Sequence, residues 1–169
     1  MLVVFGGLPG VGKTVLSRAV AQELGATWLR VDAIEAAMWR WGIDRAQPTG
    51  IAAYAVAHAV ADGNLRLGVP VVVDAVNPVE AARAGWRELA SAASVPLRVV
   101  EVVCSDATEH RRRVQQRTPD LVLGGNPTWD EVIAREYEPW TEPRLTVDTT
   151  VDSTALIAKI LAYVQRSKA

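Results

Sequence analysis

The sequence predicts one α/β domain in which a five-stranded parallel sheet lies between two layers of helices. Three observations carry that expectation. Short runs rich in β-branched residues recur along the 169-residue chain, Ala-rich segments with helical spacing separate them, and a glycine-rich turn joins the first run to the first helical segment.

The runs fall at residues 2–5, 27–31, 69–73, 97–103 and 145–147, each short enough for a strand buried on both faces. Helical spacing marks residues 14–24, 51–67, 78–93 and 107–117, and residues 136–140 read as the end of a further helix. Parallel neighbours need right-handed crossovers, so helices are expected on both faces and ligand-binding residues at the carboxyl edge of the strands. Two stretches break the rhythm. Residues 41–50 carry Gly42, Pro48 and Gly50, and residues 118–128 carry Pro119, Gly124, Gly125 and Pro127, so both are expected as loops. With no repeat, low-complexity tract or linker, residues 1–169 read as a single domain with a lid region at about 111–128.

Composition narrows the function classes. Half the residues are hydrophobic and 22% are charged, the balance of a folded domain. Lys and Arg total 18 against 19 Asp and Glu, so no broad positive field exists to attract nucleic acid or an anionic membrane. The apolar N-terminus meets a glycine loop after five residues, and no apolar stretch approaches the roughly 20 residues of a membrane span. Cys104, the single cysteine, excludes an intramolecular disulfide and reads as a buried strand end. These features suggest a cytoplasmic protein, monomeric or homodimeric, with no nucleic-acid or membrane partner.

The strongest local signal is Gly7-Leu8-Pro9-Gly10-Val11-Gly12-Lys13-Thr14, which fits G-x-x-x-x-G-K-[ST] between an expected strand and an expected helix. Its glycines allow backbone angles that turn successive N–H groups inward, and the positive end of the helix, with Val15 in its first turn, faces the same point. Lys13 is expected on the β and γ phosphates of a nucleotide, and the Thr14 hydroxyl on Mg²⁺. ATP is the expected nucleotide, since no Asn-Lys-x-Asp run for reading guanine occurs.

Two acids end strands at the same edge. Asp74 closes Val71-Val72-Val73, where it can hold Mg²⁺ through water, or cap the helix near Pro78 or stabilise a turn with Asn77. Asp32 follows Leu29-Arg30-Val31, where it can accept the proton of an attacking hydroxyl or serve as N-cap of a helix at 33–39. Arg113 and Arg117 are four apart on one helical face directly before the Gly/Pro loop, so they can close over a nucleotide; Arg111 and Arg112 read as a solvated surface. His58 reads as a packed helix residue and His110 as a surface residue. Trp39, Trp41 and Tyr54 can wall an acceptor pocket or cover the core, whereas Trp86, Trp129 and Trp140 read as packing residues unconnected to the site.

With Gly7 to Thr14, Asp32, Val73-Asp74-Ala75-Val76-Asn77 and Arg113-Val114-Gln115-Gln116-Arg117 assembled, the chain resembles the P-loop kinases grouped with zeta-toxin-like, polynucleotide-kinase-like and chloramphenicol-phosphotransferase-like proteins. The likeness spans almost the whole length, and the chain also looks like bacterial AAA-type ATP-binding proteins of this size. The resemblance implies a three-layer α/β/α P-loop NTPase fold with sheet order 2-3-1-4-5, the acid on the second strand as acceptor base, and lid arginines on the phosphates. Lys13, Asp32, Arg113 and Arg117 take the catalytic roles on that basis. Polynucleotide 5′-kinases carry an arginine three residues after the acid, where this chain has Glu35, which argues against a nucleic-acid acceptor. The function so implied is ATP-dependent phosphorylation of a hydroxyl on a small molecule. A regulatory or switch ATPase acting on a protein partner, or a nucleotide sensor without turnover, is the alternative.

Overall fold

The computed structural model describes residues 1–116 and 127–166. Arg117 and most of the expected loop at 118–128 therefore lie outside the described residues. Five parallel strands, β1 (Leu2–Gly6), β2 (Thr27–Arg30), β3 (Val71–Asp74), β4 (Leu97–Val103) and β5 (Leu145–Asp148), form one sheet in the order β2-β3-β1-β4-β5. The helices are α1 (Lys13–Leu24), α2 (Val31–Arg40), α3 (Thr49–Arg66), α4 (Glu80–Ala92), α5 (Ala107–Gln116), α6 (Trp129–Ile133) and α7 (Ser153–Val164).

The alternation of strand side chains divides the core in two. Leu2, Val4, Val71 and Val73 face Ala53, Ala57, Ala61 and Leu65 of α3 and Trp86 and Ala90 of α4. Val3, Phe5, Val72, Val100 and Val102 face Leu16 and Val20 of α1 and Leu156, Ile160 and Val164 of α7. Burial on both sides explains why the strands read as unbroken apolar runs rather than alternating ones.

Three expectations are corrected. Residues 136–140 do not end a helix, because α6 stops at Ile133 and the carbonyls of Glu138 and Pro139 accept hydrogen bonds from the Arg83 guanidinium at 2.6 and 2.9 Å. Val31 opens α2 rather than closing β2, so Arg30 is the N-cap and Asp32 lies within the first helical turn. His110 is buried, at 6% exposure, because α5 leans its inner face on the glycine loop.

Asp74 does not cap α4, whose N-cap is Val79. Asn77 holds the intervening loop instead. With φ of 50° and no exposure, it donates Nδ2 to the Phe5 carbonyl at 2.9 Å and accepts the Trp86 indole N–H at 2.9 Å. Left-handed backbone is tolerated by Asn better than by most residues.

Candidate active site

Residues 7–12, between β1 and α1, wrap around the start of the helix. Gly7 must be glycine on space alone, since a β-carbon there would sit 2.2 Å from the Val102 carbonyl oxygen. Gly10 and Gly12 have φ of 83° and 98°, a region open to glycine at little cost. The resulting turn exposes one side to a cavity of about 520 Å³ lined by Pro9, Gly10, Gly12, Lys13, Thr14, Val15, Arg18, Asp32, Asp74, Arg112, Arg113 and Gln116. Clefts that take small ligands span roughly 300–1,000 Å³.

Most of the expected site residues therefore meet in one place. Gly7, Leu8 and Val11 shape the loop without lining it: Val11 is 3% exposed in the core, and Leu8 turns its carbonyl to the Lys13 ammonium at 2.9 Å. Arg18, Arg112 and Gln116 were missed by sequence reasoning. Arg18 follows Thr14 by one helical turn on the exposed side of α1, a spacing that could have marked it. Arg112 is exposed, as expected of a solvated surface, and also lines the cavity, its guanidinium held by Glu109 at 2.7 and 2.8 Å and by Gln116 at 2.7 Å.

The parallel register brings Arg30 of β2 and Phe5 of β1 alongside Asp74, the last residue of β3. Asp74 is 3% exposed, and burial raises its carboxyl pKa against the pull of Lys13, the Thr14 hydroxyl and Arg30; Asp32 adds to the rise. Asp74 Oδ2 accepts no hydrogen bond from the described residues, and Arg30 Nε stands 4.0 Å away. A buried carboxylate oxygen without a donor is costly in a native structure.

The Asp74 carboxylate and the Thr14 hydroxyl, whose residues both line the cavity, are hard oxygen groups of the kind that fit Mg²⁺. Among the described residues no cluster of three or more His, Cys, Asp or Glu could hold a metal, so these two groups suit an ion that brings its remaining ligands as water and phosphate.

Asp32 is exposed at the cavity wall, and its charge is felt by both Asp74 and Tyr54. Tyr54 is not part of the wall. Its phenol accepts the Asn77 N–H at 3.0 Å, and burial pushes its pKa up to about 12. Trp39 donates its indole N–H to Thr49, and Trp41 is 85% exposed, so neither tryptophan lines the cavity. His58 packs as expected, stacked on Trp86 with ring centroids 3.8 Å apart.

Arg113 lines the cavity with all three guanidinium nitrogens engaged: Nε donates to Glu109 at 2.7 Å, Nη1 to Thr149 Oγ1 at 2.7 Å and Nη2 to the Thr149 carbonyl at 2.9 Å. Donation from Arg112 and Arg113 pulls the Glu109 pKa down to about 2. Two tryptophans pack as expected, one on His110 and one on the last residue of β1. Trp129 packs edge-on against His110 at 5.1 Å, and Trp140 lies where a β-carbon at Gly6 would be, 2.3 Å from its ring.

No curated protein matches the chain. Solved structures do. A candidate kinase from Chloroflexus aurantiacus superposes with a TM-score of 0.78 at 23% identity, covering 97% of this chain and 98% of its own. Kti12 of Chaetomium thermophilum, solved with ADP-AlF3, gives 0.71 at 20% identity over 98% and 100% of the two chains. The Mycobacterium tuberculosis APS kinase, solved with AMPPNP and APS, gives 0.69 at 17% identity over 98% and 97%. These likenesses establish a common fold, that of the P-loop kinases. A family model described as an AAA domain matches residues 2–126, most of the chain and all of the phosphate loop, and the chain belongs to that family.

Proposed function

We propose that the chain is an ATP-dependent phosphotransferase that moves the γ-phosphoryl group to a hydroxyl of a small molecule. The observation that carries this reading is the meeting, in one cavity, of the glycine loop with two carboxylates of different character. Asp74 is buried at the cavity with Lys13 and Arg30 near its charge, while Asp32 stands exposed on the wall. One suits a cation and the other suits a substrate proton.

In this scheme the loop amides and Lys13 bind the phosphates, and Lys13 exchanges its bond to the Leu8 carbonyl for the β and γ oxygens. Thr14 and Asp74 would hold Mg²⁺, which when bound would neutralise phosphate charge. The acceptor oxygen bonds to the γ-phosphorus as the bond to the bridging oxygen of the departing ADP breaks, and the hydroxyl proton passes to Asp32. Arg113, with Arg117 by resemblance, supports the charge that spreads over the moving group. The relatives' names, among them an APS kinase and a sugar kinase from Janibacter, favour a small hydroxylated acceptor.

The test is turnover against a panel of hydroxylated metabolites, with products weighed by mass spectrometry. Asp32→Asn is expected to cut kcat by about 10²–10⁴, the usual contribution of a general base, and to leave ATP affinity within about threefold. Equal loss of both would remove Asp32 from the proposed role. A second reading, a switch ATPase working on a protein, is favoured by the exposed Trp41, Ile43 and Ile51 around the start of α3. Steady hydrolysis with no heavier acceptor would select it.

A further inference from the structure

Two side chains outside the glycine loop hold its carbonyls. His110, on α5, places Nε2 2.8 Å from the Pro9 carbonyl oxygen, and Thr149, directly after β5, places its hydroxyl 2.8 Å from the Val11 carbonyl oxygen. A carbonyl only accepts, so His110 carries a proton on Nε2 at this contact. Arg113 donates to Thr149 Oγ1 at 2.7 Å, which leaves the single hydroxyl hydrogen for Val11, the nearer acceptor; the Val103 carbonyl lies at 3.2 Å.

A trans peptide unit is planar with its C=O and N–H pointing opposite ways, and no cis bond occurs among the described residues. Pulling the Pro9 carbonyl toward α5 therefore turns the Gly10 N–H the other way. Pulling the Val11 carbonyl toward the end of β5 does the same to the Gly12 N–H. Gly10 and Gly12 both line the cavity.

We propose that His110 and Thr149 are positioning residues that preset two phosphate-binding amides, those of Gly10 and Gly12, with Arg113 acting through Thr149. The packing agrees with the hydrogen bonds. A β-carbon on Gly10 would fall 2.5 Å from Val114 Cγ2 and 3.4 Å from His110 Cδ2, and one on Gly12 would fall 3.3 Å from Thr149 Cγ2. The two supports press on the loop where it has no side chain. His110 is in turn fixed by burial and by the Trp129 ring set edge-on at 5.1 Å. A glycine-rich loop left to itself must lose conformational freedom when phosphate binds, whereas a loop ordered beforehand does not.

The proposal rests on the nucleotide-binding part of the reading above and not on phosphoryl transfer, so binding tests it. Calorimetric titration of Mg·ADP into the purified chain is expected to show about tenfold weaker binding for His110→Phe, which keeps the ring but loses the donor. Thr149→Val, which keeps the shape but loses the hydroxyl, is expected to weaken binding by a similar factor. His110→Gln, whose amide nitrogen reaches the same place, and Thr149→Ser are expected to stay within about threefold of the parent.

A merely structural His110 would lower the melting temperature of His110→Phe without changing affinity. Folded His110→Phe that binds ADP as tightly as the parent overturns the His110 half, and should that variant not fold, Thr149→Val decides by the same titration. A chain that binds ADP and phosphorylates nothing would end the kinase reading and leave this inference standing.

Discussion

Asp74 is the residue at which function and stability pull apart. Burial raises its folded pKa, so the folded chain holds that proton more tightly than the unfolded chain does. The ionised carboxylate accordingly costs stability, a cost that grows as pH climbs from the unfolded value, roughly 3.9, through the raised folded value and is complete above it. Asp74→Asn is expected to melt higher than the parent at pH 7.5 without nucleotide, with an advantage that shrinks toward pH 4, and to lose Mg²⁺-dependent nucleotide affinity; calorimetry across that pH range reads both. A lower melting point at pH 7.5 would mean that Lys13 and Arg30 need the charge more than the interior resists it. Asp74 and the glycine loop were legible because strand end and motif are local patterns. His110 and Thr149 were not, since their partners in the loop lie 101 and 138 residues away and nothing local marks a side chain that reaches a distant carbonyl.

Among the elements, α4 carries the clamp that fixes the irregular segment after α6. Arg83 is 2% exposed, donates to the carbonyls of Asn77, Pro78, Glu138 and Pro139, and lies over the Trp140 ring at 4.0 Å. Through it the β3–α4 loop is tied to residues that cover Gly6 at the root of the glycine loop. Arg83→Met would remove four charge-assisted hydrogen bonds, one of them to the carbonyl of buried Asn77, and a loss of about 3–4 kcal/mol follows. For a domain of this size the melting temperature should fall by roughly 10 °C. A change under about 2 °C in a calorimetric scan would show that the segment holds itself. This clamp also explains why residues 136–140 misled: their pattern suits a helix end, but the tertiary partner takes the carbonyls. Two elements had signals that went unread. Thr128 and Glu131 form a capping box for α6, and Asp152 caps α7 ahead of apolar Leu156, Ile160 and Val164.

At the scale of the molecule, the alternation of strand and helix predicted a parallel sheet, but pattern alone could not rank the strands. The order β2-β3-β1-β4-β5 came from the resemblance, because crossovers let sequence neighbours lie apart. That order sets β1 beside β3, so the glycine loop and Asp74 emerge together with Asp32 one strand further on. The two core clusters pack against opposite faces of the sheet, and neither draws on the cavity for its closure. The fold should therefore stand without nucleotide, and a nucleotide should add to it only by mass action. At about one hundred times its Kd, Mg·ATP would contribute roughly 2.7 kcal/mol, which for a chain of this length raises the melting temperature by roughly 5–11 °C. Lys13→Ala is expected to lose most of that shift, because in the proposed reading the lysine gives up its bond to the Leu8 carbonyl to serve the phosphates. Thermal scans with and without Mg·ATP measure both quantities. An undiminished shift in Lys13→Ala would locate the nucleotide away from the glycine loop.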